Sequence, residues 1–154
     1  MKTNQQAMLA AMIALAADKH MNQFDKAGNP YILHTLHVMN TVESRDLEIK
    51  QIAVGHDLIE DTDTTVILLT DMGFSQRVID GIVSMTKIPN EPYESYKQRV
   101  MANPDAVLVK MADLMHNSDM RRLKGTTQKD FDRMNKYMKF YSELKDLTER
   151  WKRV

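Results

Sequence analysis

Apolar residues recur at helical spacing along almost the whole chain, and no stretch alternates convincingly with period two. Thr3 and Gln6 resemble a capping box that opens a first helix reaching about Met21. Asn22 to Asn29, with Gly28, reads as a loop, and Asn29-Pro30 offers an N-cap and an N1 proline for a second helix from Tyr31 to about Glu43. Asp46 can cap a third, running to about Glu60, and a short helix near Thr65 to Met72 should end at Gly73. Ser75 opens a helix reaching about Lys87. Pro89 and Pro92 interrupt the pattern before a helix near Tyr93 to Met101. Pro104 starts one extending to about Asn117, and the last long helix runs from about Lys129 to Trp151. The run Val66 to Leu69 could pass for a strand, yet the chain holds no partner for it. The expected fold is all-α, with residues 1–154 as a single domain.

Composition narrows the functions available. With 21 Lys and Arg against 21 Asp and Glu, the chain lacks the basic excess that a sequence-independent hold on nucleic acid needs. A local cationic pocket for a small phosphorylated ligand stays open. With no cysteine, any metal must be held by nitrogen and oxygen. The longest apolar stretch, around Met8 to Ala17, is too short to span a bilayer and reads as a buried helix. The cytoplasm is the expected compartment, with no membrane partner. Thirteen methionines at scattered helical positions suggest core filling rather than a methionine-lined site.

Three segments carry candidate chemistry. In HDLIED, helical geometry puts His56 one turn from Glu60 and Asp57 one turn from Asp61. Four ionisable groups then crowd one end of an apolar helix, where they need a cation, mutual hydrogen bonds or water. A solvated surface cluster is the alternative. In VLVKMADLMHN, Lys110, Asp113 and Asn117 share one face of a largely apolar helix. A buried salt bridge to Lys110 would account for Asp113 but leaves the His-Asp pair unexplained. In PYILHTLHV, His34 and His37 are i, i+3 neighbours among apolar residues. A lone histidine on such a face is more often a satisfied core residue than a ligand, and His37 keeps that reading. Two histidines with two aspartates would suit Mn, Fe, Co, Ni or Zn rather than Mg or Ca.

The segments GNPYILH, HDLIEDTDTT, GFSQRVIDGIVSMTK and VKMADLMHN, in that order, resemble the HD-domain phosphohydrolases. The resemblance is to the branch holding the hydrolase domain of Rel and SpoT and the small single-domain alarmone hydrolases, and it spans about Ala14 to Tyr141. It implies an HD-type helical bundle in which His34, His56, Asp57 and Asp113 ligate one divalent metal, usually Mn2+. It implies Glu60 and Asp61 as the catalytic pair, and Asn117 and Tyr137 beside the nucleotide. Lys26 and Lys110 are the cations left to bind substrate. The implied activity is removal of pyrophosphate from the 3′ position of ppGpp and pppGpp, a small phosphorylated nucleotide. The alternatives are an HD hydrolase for another nucleotide or dinucleotide phosphate, and a non-catalytic nucleotide-binding module.

Two positions depart from the Rel and SpoT pattern. Asp25-Lys26 stands where that pattern has Arg-Lys, and Asp119 where it has an arginine after the His-Asn pair. Each substitution puts an anion near a site for a polyanion, where a guanidinium fork would help. Arg121 and Arg122 are candidates to compensate, with ordinary exposed surface as the other reading.

Overall fold

The computed structural model describes residues 4–154. Among them nine α-helices follow in order: α1 (Gln5–Lys19), α2 (Ile32–Thr41), α3 (Leu47–Gly55), α4 (Leu58–Asp61), α5 (Val66–Asp71), α6 (Gln76–Met85), α7 (Tyr93–Met101), α8 (Pro104–Asn117) and α9 (Gln128–Lys152). A 3-10 turn, Met120–Arg122, precedes α9. Extended pairing is confined, among the described residues, to one bridge between Phe24 and Pro30. The all-α expectation holds, Val66 to Leu69 included: the Thr65 hydroxyl accepts the Leu68 N–H, and Leu69 turns into the core.

Most helix boundaries follow local capping chemistry. Asp46, Ser75 and Asn103 accept first-turn N–H groups with their side chains. Gly73, at φ +88°, ends the α5 segment in the left-handed region that glycine adopts without steric cost. The proposed Thr3 cap lies outside the described residues; within them the Asn4 side chain accepts the Gln6 and Ala7 N–H groups. Two expectations are corrected. Asn29 does not cap α2, because Pro30 is held in the bridge to Phe24 and the helix begins only at Ile32, after Tyr31, with no side-chain cap. The third helix does not run on to Glu60 but breaks at His56-Asp57. There the Ala53 carbonyl, which a continuous helix would offer to the Asp57 N–H, faces the His56 ring nitrogen Nδ1 at 2.7 Å instead.

Helix α3 lies at the centre, against α1, α2, α6 and α8. Its residues Ile49, Ile52, Ala53 and Val54 are buried, and each large aliphatic side chain removed from water contributes about 1.5–3 kcal/mol. Glycines allow the close approach: a Cβ at Gly81 of α6 would stand 2.4 Å from the Ile52 Cδ1, and one at Gly55 would stand 2.8 Å from the Met12 Sδ. Helix α8 packs on α2, α3, α6, α7 and α9. The methionines fill the core only in part: Met12 and Met85 are buried, while Met21 and Met115 are largely exposed.

Candidate metal centre and its pocket

Three parts of the bundle bring four side chains to one point. His34 comes from the buried face of α2, His56 and Asp57 from the break after α3, and Asp113 from the middle of α8. The His34 Nε2 lies 3.0 Å from the Asp113 Oδ1 and 3.9 Å from the Asp57 Oδ2. The His56 Nε2 lies 3.0 Å from the Asp57 Oδ2 and 3.4 Å from the Asp113 Oδ1. Both histidines are 2% exposed and Asp113 is 3% exposed. Yet neither Nε2 atom has a hydrogen-bond partner. Buried polar atoms are ordinarily paired, so nitrogens that face carboxylates without bonding them leave a common point for a cation.

The surrounding groups fix each donor. The His56 Nδ1 donates to the Ala53 carbonyl at 2.7 Å, which leaves Nε2 as a lone pair. The His34 Nδ1 lies 2.7 Å from the His116 Nδ1, and the same tautomer follows if His34 donates. Burial, followed by Arg122 and the neighbouring imidazoles, pushes His116 down to about 4, so it stays neutral and can accept. The His37 ring stacks on His116 at 3.8 Å, in keeping with its reading as a packing residue. The Asp113 Oδ2 takes the Lys110 ammonium at 2.8 Å, and its Oδ1 takes the Asn117 amide at 2.8 Å. The Tyr31 hydroxyl donates to the Asp57 Oδ2.

The electrostatics are those of a compensated buried cluster. Burial opposes the Asp57 charge, but His56 beside it brings the carboxyl down to about 2. Burial likewise opposes charge on Asp113, and Lys110 with the two histidines holds it well below the usual range. For His56, Asp57 and Asp113 outweigh desolvation and raise the imidazole well above its ordinary value. Without a metal a proton satisfies that nitrogen, so a metal at this point binds in competition with protons. The oxygen and nitrogen donor set, with the His56 ring oriented by the Ala53 carbonyl, fits a divalent transition metal.

Glu60 and Asp61 flank this point on α4, with oxygens of Asp57, Glu60 and Asp61 within 4.8 Å of one another. The Glu60 Oε1 accepts the Lys87 backbone N–H at 2.7 Å, which fixes it from the end of α6. Partial desolvation, then Asp57 and Glu60, push Asp61 up to about 6. A carboxyl in that range can take up or release a proton near neutral pH.

A cavity of about 420 Å³ opens over the cluster. Lys26, Lys110, Asn117 and Tyr137, the four substrate candidates from the sequence, all line it. Two of them are already committed: Lys110 and Asn117 hold Asp113, and the Asn117 Oδ1 also lies 3.4 Å from the Arg122 Nη1. Arg122, one of the two arginines offered as compensating, lines it as well, whereas two further cations, Lys87 and Arg133, were missed. Nothing in their local sequence marks these two, since they come from the turn after α6 and from α9. Tyr31 and His116 were also missed, although each lies in one of the quoted segments.

The two acidic departures are neutralised from within. The Asp25 Oδ1 accepts the Ala27 and Asn29 N–H groups, both at 2.9 Å, and its Oδ2 lies 3.5 Å from the Arg122 Nη2. Asp119 caps the 3-10 turn and takes both arms of the Arg121 guanidinium at 2.9 Å. Asp25 therefore shapes the loop and anchors an arginine at the pocket wall instead of presenting a bare anion.

An all-helical bundle with a paired His-Asp at a helix break, a histidine from one neighbouring helix and an aspartate from another defines the class of HD-type metal hydrolases. The chain belongs to the Rel/SpoT-like HD hydrolase family. It is 32% identical to the zebrafish (Danio rerio) guanosine-3′,5′-bis(diphosphate) 3′-pyrophosphohydrolase MESH1, over 94% of this chain and 86% of that protein. The mouse (Mus musculus) MESH1 is 30% identical over 78% of this chain and 73% of its own length. A guanosine-3′,5′-bis(diphosphate) 3′-pyrophosphohydrolase of Aquifex aeolicus is 33% identical over 66% of this chain, which covers 16% of that longer protein. The solved structure of a metazoan SpoT orthologue that hydrolyses ppGpp superposes with a TM-score of 0.72, at 22% identity, over 94% of this chain and 86% of its own. No family profile matches the chain.

Proposed function

We propose that the chain removes pyrophosphate from the 3′ position of guanosine 3′,5′-bis(diphosphate), the activity for which its zebrafish and mouse relatives are named. The observation that carries this reading is the pair of buried, unpartnered Nε2 atoms of His34 and His56, facing Asp57 and Asp113 beneath a cation-lined cavity. These four residues are the metal ligands, and Mn2+ is the ion the family resemblance favours. When bound, the ion supplies a Lewis acid that acidifies water and neutralises charge on a phosphoryl oxygen.

The remaining work falls to side chains of the chain itself. Glu60, fixed by the Lys87 N–H, orients the attacking water, and Asp61 takes its proton. Lys26, Arg122 and Arg133 offer positive charge to the nucleotide phosphates, and Tyr137 forms a wall of its pocket. Lys110 and Asn117 serve the nucleotide indirectly, by holding Asp113 in place. Residues 1–154 act as one domain on a small nucleotide in the cytoplasm. Among the described residues no helix is long and apolar enough to cross a membrane. Another nucleotide as substrate was favoured by Asp25 and Asp119, and their pairing with Arg122 and Arg121 removes that support.

Incubation of the Mn2+-loaded protein with ppGpp should release GDP and pyrophosphate in equal amounts. Absence of both products, or release of orthophosphate instead, would overturn the reading.

A further inference from the structure

We propose that His20 and Gln23 are positioning residues that lock the Glu60-Asp61 helix to the loop carrying Lys26. The kinetic part of the case rests on the proposed function above.

His20 ends α1 and is 1% exposed. Its Nδ1 lies 2.7 Å from the Gln23 Oε1. An amide oxygen only accepts, so Nδ1 carries the proton and Nε2 is a lone pair. That Nε2 is buried and has no partner. An apolar side chain here would strand no acceptor, so the imidazole is a costly choice for packing alone. What it provides is the bond to Gln23.

Gln23 passes that constraint on. Its Nε2 donates to the Asp61 carbonyl at 2.8 Å, which sets the orientation of the amide and leaves Oε1 for His20. Asp61 closes a four-residue helix, where the last carbonyls lack partners within the helix. Gln23 supplies one of them from 38 residues away. Its own backbone carbonyl accepts the Tyr31 N–H at 2.9 Å, and the Tyr31 hydroxyl donates to Asp57. One residue thus ties together the loop bearing Lys26, the end of α4 and the tyrosine that orients Asp57. Glu60 and Asp61 are both exposed, so core packing does not fix the end of α4. Side-chain hydrogen bonds set its place. Small displacements of a proton-handling group cost large factors in rate while leaving substrate binding nearly intact.

The test compares Gln23→Glu, His20→Asn and His20→Phe in the Mn2+-loaded full chain. Gln23→Glu keeps an acceptor for His20 and loses the donor to Asp61. It sits at a half-buried loop position where the fold should tolerate it. His20→Asn places an amide donor near the position of Nδ1, and His20→Phe keeps bulk without a donor. Gln23→Glu and His20→Phe should lower kcat for ppGpp by about tenfold or more with KM within about threefold, while His20→Asn retains kcat within about threefold. Metal content per chain should be unchanged throughout. Amide exchange over residues 58–64 should quicken by about tenfold in Gln23→Glu, a readout that needs no substrate. Unchanged exchange in Gln23→Glu overturns the proposal whether or not ppGpp is the substrate. Parental kcat in Gln23→Glu overturns it while leaving the proposed function standing. Failure of the parent itself to turn over ppGpp would overturn that function, and the exchange result would still decide this proposal.

Discussion

The Nδ1 atoms of His34 and His116 lie 2.7 Å apart, joining a candidate metal ligand on α2 to a neutral imidazole on α8. Because burial keeps His116 near 4, it is neutral across the neutral range and can accept a proton from the His34 Nδ1, the tautomer that leaves the His34 Nε2 as a lone pair. Replacing such an outer partner commonly costs 10–100-fold in metal affinity. His116→Ala should weaken Mn2+ binding by about that factor with little change in helix content. Titration followed by electron paramagnetic resonance of free Mn2+ measures it. Parental affinity in the variant would show that His116 does not orient His34.

Asp57 and Asp113 differ in what they leave behind when removed. Asp113 is the partner of the Lys110 ammonium, and burial opposes that charge. Asp113→Ala should therefore destabilise the metal-free protein by about 3–5 kcal/mol, the range for stranding one partner of a buried ion pair. Asp57→Ala frees only a histidine, which can deprotonate, and a tyrosine, so its cost should be smaller. Both should lose metal. Urea unfolding with chelator present separates the two effects, and equal destabilisation would contradict the ion-pair account.

Asp25 stands where the Rel and SpoT pattern has arginine, yet restoring arginine should harm the protein. The carboxylate accepts two loop N–H groups and approaches Arg122, contacts that a guanidinium cannot make. Asp25→Arg should raise KM for ppGpp several-fold, on the order of 1 kcal/mol for the lost loop bonds. Asp25→Asn, which keeps an acceptor oxygen, should stay nearer the parent. A lower KM in Asp25→Arg would show that charge outweighs loop geometry here.

How much of this was legible in the sequence depended on whether the signal was local. Helices α7 and α8 match their expected spans because prolines and an Asn cap mark their limits. The break after Gly55 was not visible, since it comes from a side chain taking a backbone acceptor rather than from glycine or proline. Spacing brought Asp57 near Asp61 and Lys110 near Asp113, but no spacing rule joins α2 to α8. His34 entered through the resemblance alone, and the structure then placed its Nε2 3.0 Å from Asp113. Arg122 was a candidate from its place after the His-Asn pair, but Lys87 and Arg133 were illegible because only tertiary packing turns them toward the cavity.

The close contact between α3 and α6 links core packing to the site. A methyl group at Gly81 would meet Ile52 Cδ1 at 2.4 Å and Cγ1 at 2.8 Å, so the helices must separate or Ile52 must change rotamer. Overpacking of this kind typically costs about 1–3 kcal/mol. Gly81→Ala should lower the melting temperature, and, because α3 delivers His56 and Asp57, also reduce Mn2+ affinity. Thermal unfolding with and without Mn2+ measures both. Lower stability with parental affinity would show that the site is buffered from this contact.

Asp61 predicts a pH-dependent stability of definite sign. Its carboxyl rises to about 6 in the fold from an ordinary value of 3.8, chiefly through partial desolvation and then through Asp57 and Glu60. The fold thus favours the protonated form. At low pH both states are protonated and Asp61 costs nothing. As pH rises from about 4 to about 6, the unfolded chain ionises first, and the folded state loses ground. Asp61→Asn should accordingly raise the melting temperature of the metal-free protein at pH 7, with the gain shrinking to nothing below pH 4. The group is partly exposed, so the gain should be modest and should shrink further in salt. Calorimetry across this pH range in the presence of chelator is decisive. A gain that persists at pH 3, or a loss at pH 7, would mean that Asp61 does not carry a raised carboxyl in the fold, and would remove it as the group that takes the proton.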